Sequence, residues 1–232
     1  MPRRARMYLA GMPYHIVQRG NNKEACFIET ETYQFYLELL KEVSLRYDMA
    51  VHSYCLMTNH IHILATAGDK TSISNTMKVV GSRYAQYINK KYKRTGTLWE
   101  GRHKSSLVQS DKYFLTCSRY IELNPVVANM VKRPEEYVWS SYHSNAWGDA
   151  SWLTEHEEYK RLGSTPKIRC QRYRELFKYH VDDEDITHIR EAMHYCQPVG
   201  DDRFKEMLEQ KYNIKLGRTR RGRPVTVHRV SK

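Results

Sequence analysis

Apolar and polar residues alternate along several short stretches of the first 110 positions, and between them the apolar residues recur at helical spacing. Met12 to Arg19 (MPYHIVQR) has the period of a strand and runs into the turn cluster Gly20-Asn21-Asn22. After a short apolar patch at Cys26-Phe27-Ile28, Thr30 or Thr32 is placed to cap a helix. In that helix Tyr33, Tyr36, Leu37, Leu40 and Val43 share a face, and it ends near Tyr47. Met49 to Met57 and His60 to Ala65 then read as two strands across a tight Thr58-Asn59 junction, which predicts a hairpin. Ser72 to Arg94 is a long amphipathic helix whose stripe is Ile73, Met77, Val80, Tyr84 and Ile88, stopped by Gly96. Leu98 to Arg102 leads into a strand from His103 to Gln109. Ser110 or Asp111 caps a further helix that is expected to end at about Asn124, because Pro125 lacks the amide needed to continue it.

The order strand, helix, strand, strand, helix, strand, helix predicts an α+β fold: a ferredoxin-like antiparallel sheet with helices on one face. The other face is then left available, and His60 and His62 point to it if Ile61 and Ile63 pack under the helices. Past Trp139-Ser140-Ser141-Tyr142 the composition changes, and Gly148-Asp149-Ala150-Ser151 reads as the exit from a first unit. Three short helices are expected at Arg169 to His180, Glu184 to Tyr195 and Asp201 to Tyr212. The expected division is 1–147 for the sheet-bearing domain, 148–214 for a small helical domain that binds nucleic acid, and 215–232 for a basic tail.

Charge changes the picture from fold to partner. The 232-residue chain carries a formal net charge of +12, which favours polyanions and above all nucleic acid. The excess is uneven: ten Lys/Arg fall between Lys70 and Lys112 against Glu100 and Asp111, and eight follow Glu209 with no acid among them. The five cysteines (Cys26, Cys55, Cys117, Cys170, Cys196) are odd in number and widely spaced without a C-x-x-C pair. That argues against a disulfide framework and a zinc knuckle, and for a reducing cytoplasm. Met7 to Met12 is too short and mixed for a signal-peptide core, and no stretch approaches a membrane span.

Two stretches carry candidate chemistry. In Thr58-Asn59-His60-Ile61-His62-Ile63-Leu64 a spacing of two on a strand puts both imidazoles on one face, where they are either a pair of metal ligands or two half-exposed histidines on an open sheet. Tyr120 and Asn124, four apart on a helix, share a face. If that face meets the histidines, a phenol, two imidazoles and an amide oxygen converge. A phosphodiester polarised there is open to attack by the tyrosine oxygen.

The ordered set of motifs resembles one family. His60-Ile61-His62 matches the HUH motif, and Tyr120-Ile121-Glu122-Leu123-Asn124-Pro125 matches the Tyr-Ile-x-x-Asn-Pro segment of the REP-associated tyrosine transposases, single-tyrosine HUH transposases of bacteria. Tyr14-His15-Ile16-Val17-Gln18-Arg19-Gly20-Asn21, Trp99-Glu100-Gly101-Arg102 and Trp139-Ser140-Ser141-Tyr142 match in the same order, over about the first 145 residues. The resemblance implies cleavage of single-stranded DNA through a 5′-phosphotyrosine intermediate with a free 3′-hydroxyl. It also implies Mg²⁺ or Mn²⁺ as cofactor and palindromic repeats folded into hairpins as substrate. By position it makes His60 and His62 metal ligands, Tyr120 the nucleophile and Asn124 the third ligand.

Arg19, Lys78, Arg83, Lys90, Lys91, Arg102 and Lys104 are the nucleic-acid-binding candidates of the body of the protein. Arg221 and Arg223, in Arg221-Gly222-Arg223-Pro224, resemble a minor-groove hook, or form part of a basic tail that contacts phosphates. The alternative is a catalytically silent DNA-binding regulator of the same fold, against which the intact His60, His62 and Tyr120 count. A phosphodiesterase acting on RNA through paired His-x-Ser/Thr motifs lacks its motifs here. A metal-dependent nuclease without a covalent step would need the histidines and not Tyr120. Monomer and homodimer are both open.

Overall fold

A computed structural model describes residues 8–217. Arg221, Arg223 and nearly all of the basic tail expected at 215–232 therefore lie outside the described residues. The elements that build the sheet layer are β1 (Pro13–Arg19), α1 (Thr30–Arg46), β2 (Met49–Met57), β3 (His60–Ala67), α2 (Ser72–Lys91), β4 (Lys104–Leu107) and α3 (Ser110–Val127). Their order along the chain is the expected one. The four strands form one antiparallel sheet in the order β2-β3-β1-β4, which is the ferredoxin-like arrangement.

Residues directly opposite on neighbouring strands share a face of the sheet. Ile61 and Ile63 of β3 and Ile16 of β1 are fully buried against α1 and α2, whose Leu40, Val43, Ile73, Met77, Val80 and Tyr84 complete that core. The opposite face carries a row across all four strands. Cys55 stands opposite His62, His62 opposite Val17, and Val17 opposite Lys104. The sequence places helices on one face of the sheet, which holds for α1 and α2. Helix α3 crosses the other face, packing Phe114, Cys117 and Ile121 on Cys55, Met57 and Leu64. The apolar stripe of α3 is legible in sequence; the side it takes is set by the crossover from an edge strand.

Local chemistry moves several boundaries. Helix α1 is capped by Glu29, and Thr32, at the third helical position, reaches back to accept from the Glu29 amide in a capping box. Strand β4 is shorter than expected because only Lys104 to Leu107 pair, opposite Tyr14 to Val17 of β1. Helix α3 does not stop at Asn124; it continues through Pro125 to Val127. Proline has no amide for the Ile121 carbonyl, and the Asn124 side chain fills that gap. Its Nδ2 donates to the Tyr120 carbonyl at 2.8 Å and to the Ile121 carbonyl at 3.4 Å.

The later helices are α4 (Tyr142–Trp147), α5 (Glu157–Lys160), α6 (Pro166–Leu176), α7 (Asp183–Tyr195) and α8 (Asp202–Tyr212). Helix α6 begins earlier than expected, since the Thr165 hydroxyl accepts from the Ile168 amide and Pro166 suits a first helical turn. These helices pack back onto the sheet layer. Phe204 and Leu208 of α8 lie in the core beneath α1 and α2, and Ile189 and Ala192 of α7 lie in the core under α3. Between α7 and α8, Val199 bridges in parallel to Val108, and its amide donates to the Leu107 carbonyl at 2.7 Å. No helix among the described residues is long and apolar enough to cross a membrane. The five cysteines are free, and all but Cys196 are buried.

Candidate active site

The site lies where α3 crosses the histidine face of the sheet. Strand alternation on β3 sends His60 and His62 to that face, and their rings stand edge to face with centroids 4.9 Å apart. His62 is buried and His60 half-buried. A third imidazole joins them from β1: His15, fully buried, stacks on His62 with centroids 5.1 Å apart, and its Nε2 lies 2.8 Å from His62 Nδ1. Nδ1 of His15 is buried without a hydrogen-bond partner.

Burial, with the Arg19 charge adding to it, pulls the His60 pKa down to about 4. The same burial holds His62 well below its ordinary value and His15 down at about 3. All three rings are therefore neutral near neutral pH, the form in which imidazole ligates a metal. His60 Nδ1 is 2.6 Å from Asn59 Oδ1, which can only accept, so Nδ1 carries the proton and Nε2 offers its lone pair outward. For His62 two tautomers satisfy the contact with His15. When His62 Nδ1 donates to His15 Nε2, His62 Nε2 is likewise left as a ligand, and His15 is then the group that orients it. The donor set thus fits a divalent ion through two imidazole nitrogens. His15 faces His62 rather than a shared centre, and among the described residues no group of three or more His, Cys, Asp or Glu could hold a metal ion. A further ligand would come from another residue type or from water.

Tyr120 of α3 brings its edge against both rings, 5.8 Å from the centroid of His15 and 6.0 Å from that of His62. Its phenol is pushed up by burial. This is opposed by the guanidinium of Arg190 on α7, which lies beside it and acts by hydrogen bonding and by charge. Asn124, one turn on, has its Nδ2 held on the helix carbonyls, which leaves Oδ1 as the end of the amide open to other partners. Tyr113, the other tyrosine near this face of α3, is turned to α7, its ring edge-on to His188 at 5.3 Å.

A buried carboxylate braces the same helix. Glu122, fully buried, accepts from Asn145 Nδ2 and Tyr173 Oη at 2.9 Å each and from Ser141 Oγ at 2.5 Å. With no cation in that set, burial pushes its carboxyl up to about 7. These three donors come from the residue before α4, from α4 and from α6. The side of α3 that faces away from the histidines is thus fixed by the later helices.

The basic candidates divide. Arg19, exposed and opposite His60, and Lys104, exposed and in the His62 row, share the histidine face. Lys78, Arg83, Lys90 and Lys91 lie on α2, on the far side of the sheet. There Arg83 pairs with Glu42 at 3.2 Å and Lys91 with Glu29 at 2.6 Å. Arg102 is exposed in the segment before β4. Two residues of the site were not singled out by sequence. His15 was visible as a motif member without a role, and its face follows once β1 is paired with β3. Arg190 gives no local signal, since its approach to Tyr120 depends on how α7 docks.

The family described as "Transposase IS200 like" matches residues 8–124. No curated protein matches the chain. Among solved structures, the REP-associated tyrosine transposase bound to a REP hairpin is similar over 68% of this chain and 93% of that one, at 18% identity and a TM-score of 0.56. A protein assigned as a transposase of Deinococcus radiodurans R1 is 17% identical over 52% of this chain and 96% of that one, with a TM-score of 0.38. A bacterial tRNA-His guanylyltransferase-like protein in complex with ATP is 14% identical over 56% of this chain and 66% of that one, with a TM-score of 0.34. The last two superpose too loosely to bear on the fold.

Proposed function

Since this chain belongs to the IS200-like transposase family, we propose that it is a single-tyrosine HUH transposase. In this reading it cuts and rejoins single-stranded DNA at palindromic repeats folded into hairpins, with Tyr120 as nucleophile. The observation that carries the reading is the meeting of Tyr120 with the His60-x-His62 strand: a phenol from α3 stands edge-on to His62 of β3, whose ring in turn meets that of His60. The hairpin substrate is supported by the transposase of similar fold that is bound to a REP hairpin.

The strand to be cut lies along the histidine face, its phosphates met by Arg19 and Lys104. Tyr120 Oη attacks the scissile phosphorus. An Oη–P bond forms as the P–O3′ bond breaks, the phenol proton passes to water, and the departing 3′-oxygen takes a proton from water. The products are a 5′-phosphotyrosine and a free 3′-hydroxyl, and a second 3′-hydroxyl reverses the step to rejoin strands. His60 and His62, with Asn124 Oδ1 as third ligand, would hold Mg²⁺ or Mn²⁺. Such an ion polarises a phosphate oxygen and offsets the charge that builds on it. Asn59 fixes the tautomer of His60, and His15 would fix that of His62 by accepting from its Nδ1. In this reading the protein works in the cytoplasm, the first 147 residues form the catalytic domain, and the later helices and the tail bind DNA.

The test is a denaturing gel of full-length protein with a 3′-labelled hairpin oligonucleotide from its own genomic flanks. Wild type and Tyr113→Phe should give a covalent protein-DNA band and Tyr120→Phe none. Cutting by Tyr120→Phe, or cutting by wild type in EDTA, would count against the reading.

A further inference from the structure

The geometry points to Arg190, on α7, as a catalytic residue that holds the Tyr120 oxygen and donates to the phosphate under attack. The inference rests on the reading that Tyr120 is the nucleophile. It goes beyond that reading because Arg190 lies outside residues 8–124, the part matched by the family.

Three observations carry it. Helix α7 is docked against the site from two sides: Ile189 and Ala192 share the core against which Tyr120 packs, and Val199, just past the helix, is hydrogen-bonded to the end of β4. From that platform the Arg190 guanidinium lies beside the Tyr120 phenol. The charge is also not neutralised on its own helix. The residues three and four positions away are Ile186, Thr187, Met193 and His194, none of them acidic, and Arg190 takes part in no ion pair among the described residues. Arg83 and Lys91 contrast with it, since acids of α1 or its cap hold them on the far side of the sheet.

The chemistry follows from the shape of the group. A guanidinium carries five N–H donors in a planar fork, so one can hold Tyr120 Oη while another remains free. For in-line attack the phosphorus must come to about 3–3.5 Å from Oη, which brings a non-bridging oxygen within reach of the free donor. Negative charge grows on that oxygen as the Oη–P bond forms, and a donor already in place stabilises it without rearranging. The role asks Arg190 to neither gain nor lose a proton.

The experiment uses full-length protein and the 3′-labelled hairpin oligonucleotide, with Arg190→Ala, Arg190→Lys and Tyr120→Phe compared under single-turnover conditions. Arg190→Ala should slow formation of the covalent band roughly a hundredfold, the loss typical of removing one charge-stabilising donor. Its hairpin affinity should stay within about threefold, because most phosphate contacts lie elsewhere. Arg190→Lys should recover part of the rate, and millimolar guanidinium should accelerate Arg190→Ala while leaving wild type unchanged. A structural role would lower binding and cleavage together and would show no guanidinium rescue. That outcome overturns the inference, and so does Arg190→Ala cutting at or above the wild-type rate while Tyr120→Phe is inactive. Cutting by Tyr120→Phe removes the premise, and the inference falls with it.

Discussion

His15 stands behind His62 as Asn59 stands beside His60, so each imidazole of the H-x-H pair is held through its Nδ1. In the proposed reading the imidazoles serve a metal, and DNA is held by other residues. His60→Ala and His62→Ala should each abolish cleavage while hairpin affinity stays within a few-fold, as measured by gel shift beside the cleavage gel. Loss of affinity by an order of magnitude in either variant would mean that the imidazoles bind DNA rather than serve the reacting phosphate. The pair itself was legible, because alternation on a strand is a strict rule. His15 was not legible as a partner: it is 47 positions from His62, and only the pairing of β1 with β3 brings them together.

At the scale of elements, the sequence set out the order and apolar stripes of α1, α2 and α3 and the β2–β3 hairpin, because period and turn residues are local signals. Pro125 predicts a stop, yet α3 runs past it with the ladder repaired by one side chain: Asn124 Nδ2 donates to the Tyr120 and Ile121 carbonyls one turn before the proline. Charge has a related limit as a local signal. Counting basic residues on α2 ignores Glu29 and Glu42, which belong to a helix and cap more than 30 residues earlier and come to lie alongside. The basic residues that share the histidine face are Arg19 and Lys104. Arg19→Ala and Lys104→Ala should each reduce the slope of log K against log salt by about one unit, whereas Lys91→Ala should leave it nearly unchanged. Equal changes in all three would show that DNA also tracks the α2 side.

At the scale of the whole molecule, one buried carboxylate, three buried imidazoles and the half-buried His60 shape how stability responds to pH. Burial holds His15 at about 3, His52 and His60 at about 4, and His62 well below its ordinary value. As pH falls from about 6.5 towards 4 the unfolded chain takes up protons that these rings refuse, so their contribution to stability is lost. Glu122 acts in the opposite sense. Its carboxyl, raised to about 7, takes up a proton in the folded state first, so its contribution grows as pH falls through that window. Four sites outweigh one, and the urea midpoint should drop between about pH 7 and pH 5. Glu122→Gln should make the drop steeper, and a midpoint that rises on acidification would contradict this account. Glu122 also ties α3 to α4 and α6, and Ile189 and Ala192 of α7 pack in the core against which Tyr120 lies, so helices beyond the family's matched residues hold α3 from both sides. The claim at the centre of this arrangement is that the Tyr120 oxygen becomes bonded to DNA. The most direct measurement is the mass of the proteolytic peptide that carries the nucleotide adduct after reaction with the hairpin. The account predicts a single modified peptide with the adduct on Tyr120; an adduct on Tyr113 or any other tyrosine, or cleaved DNA with no adduct, would contradict it.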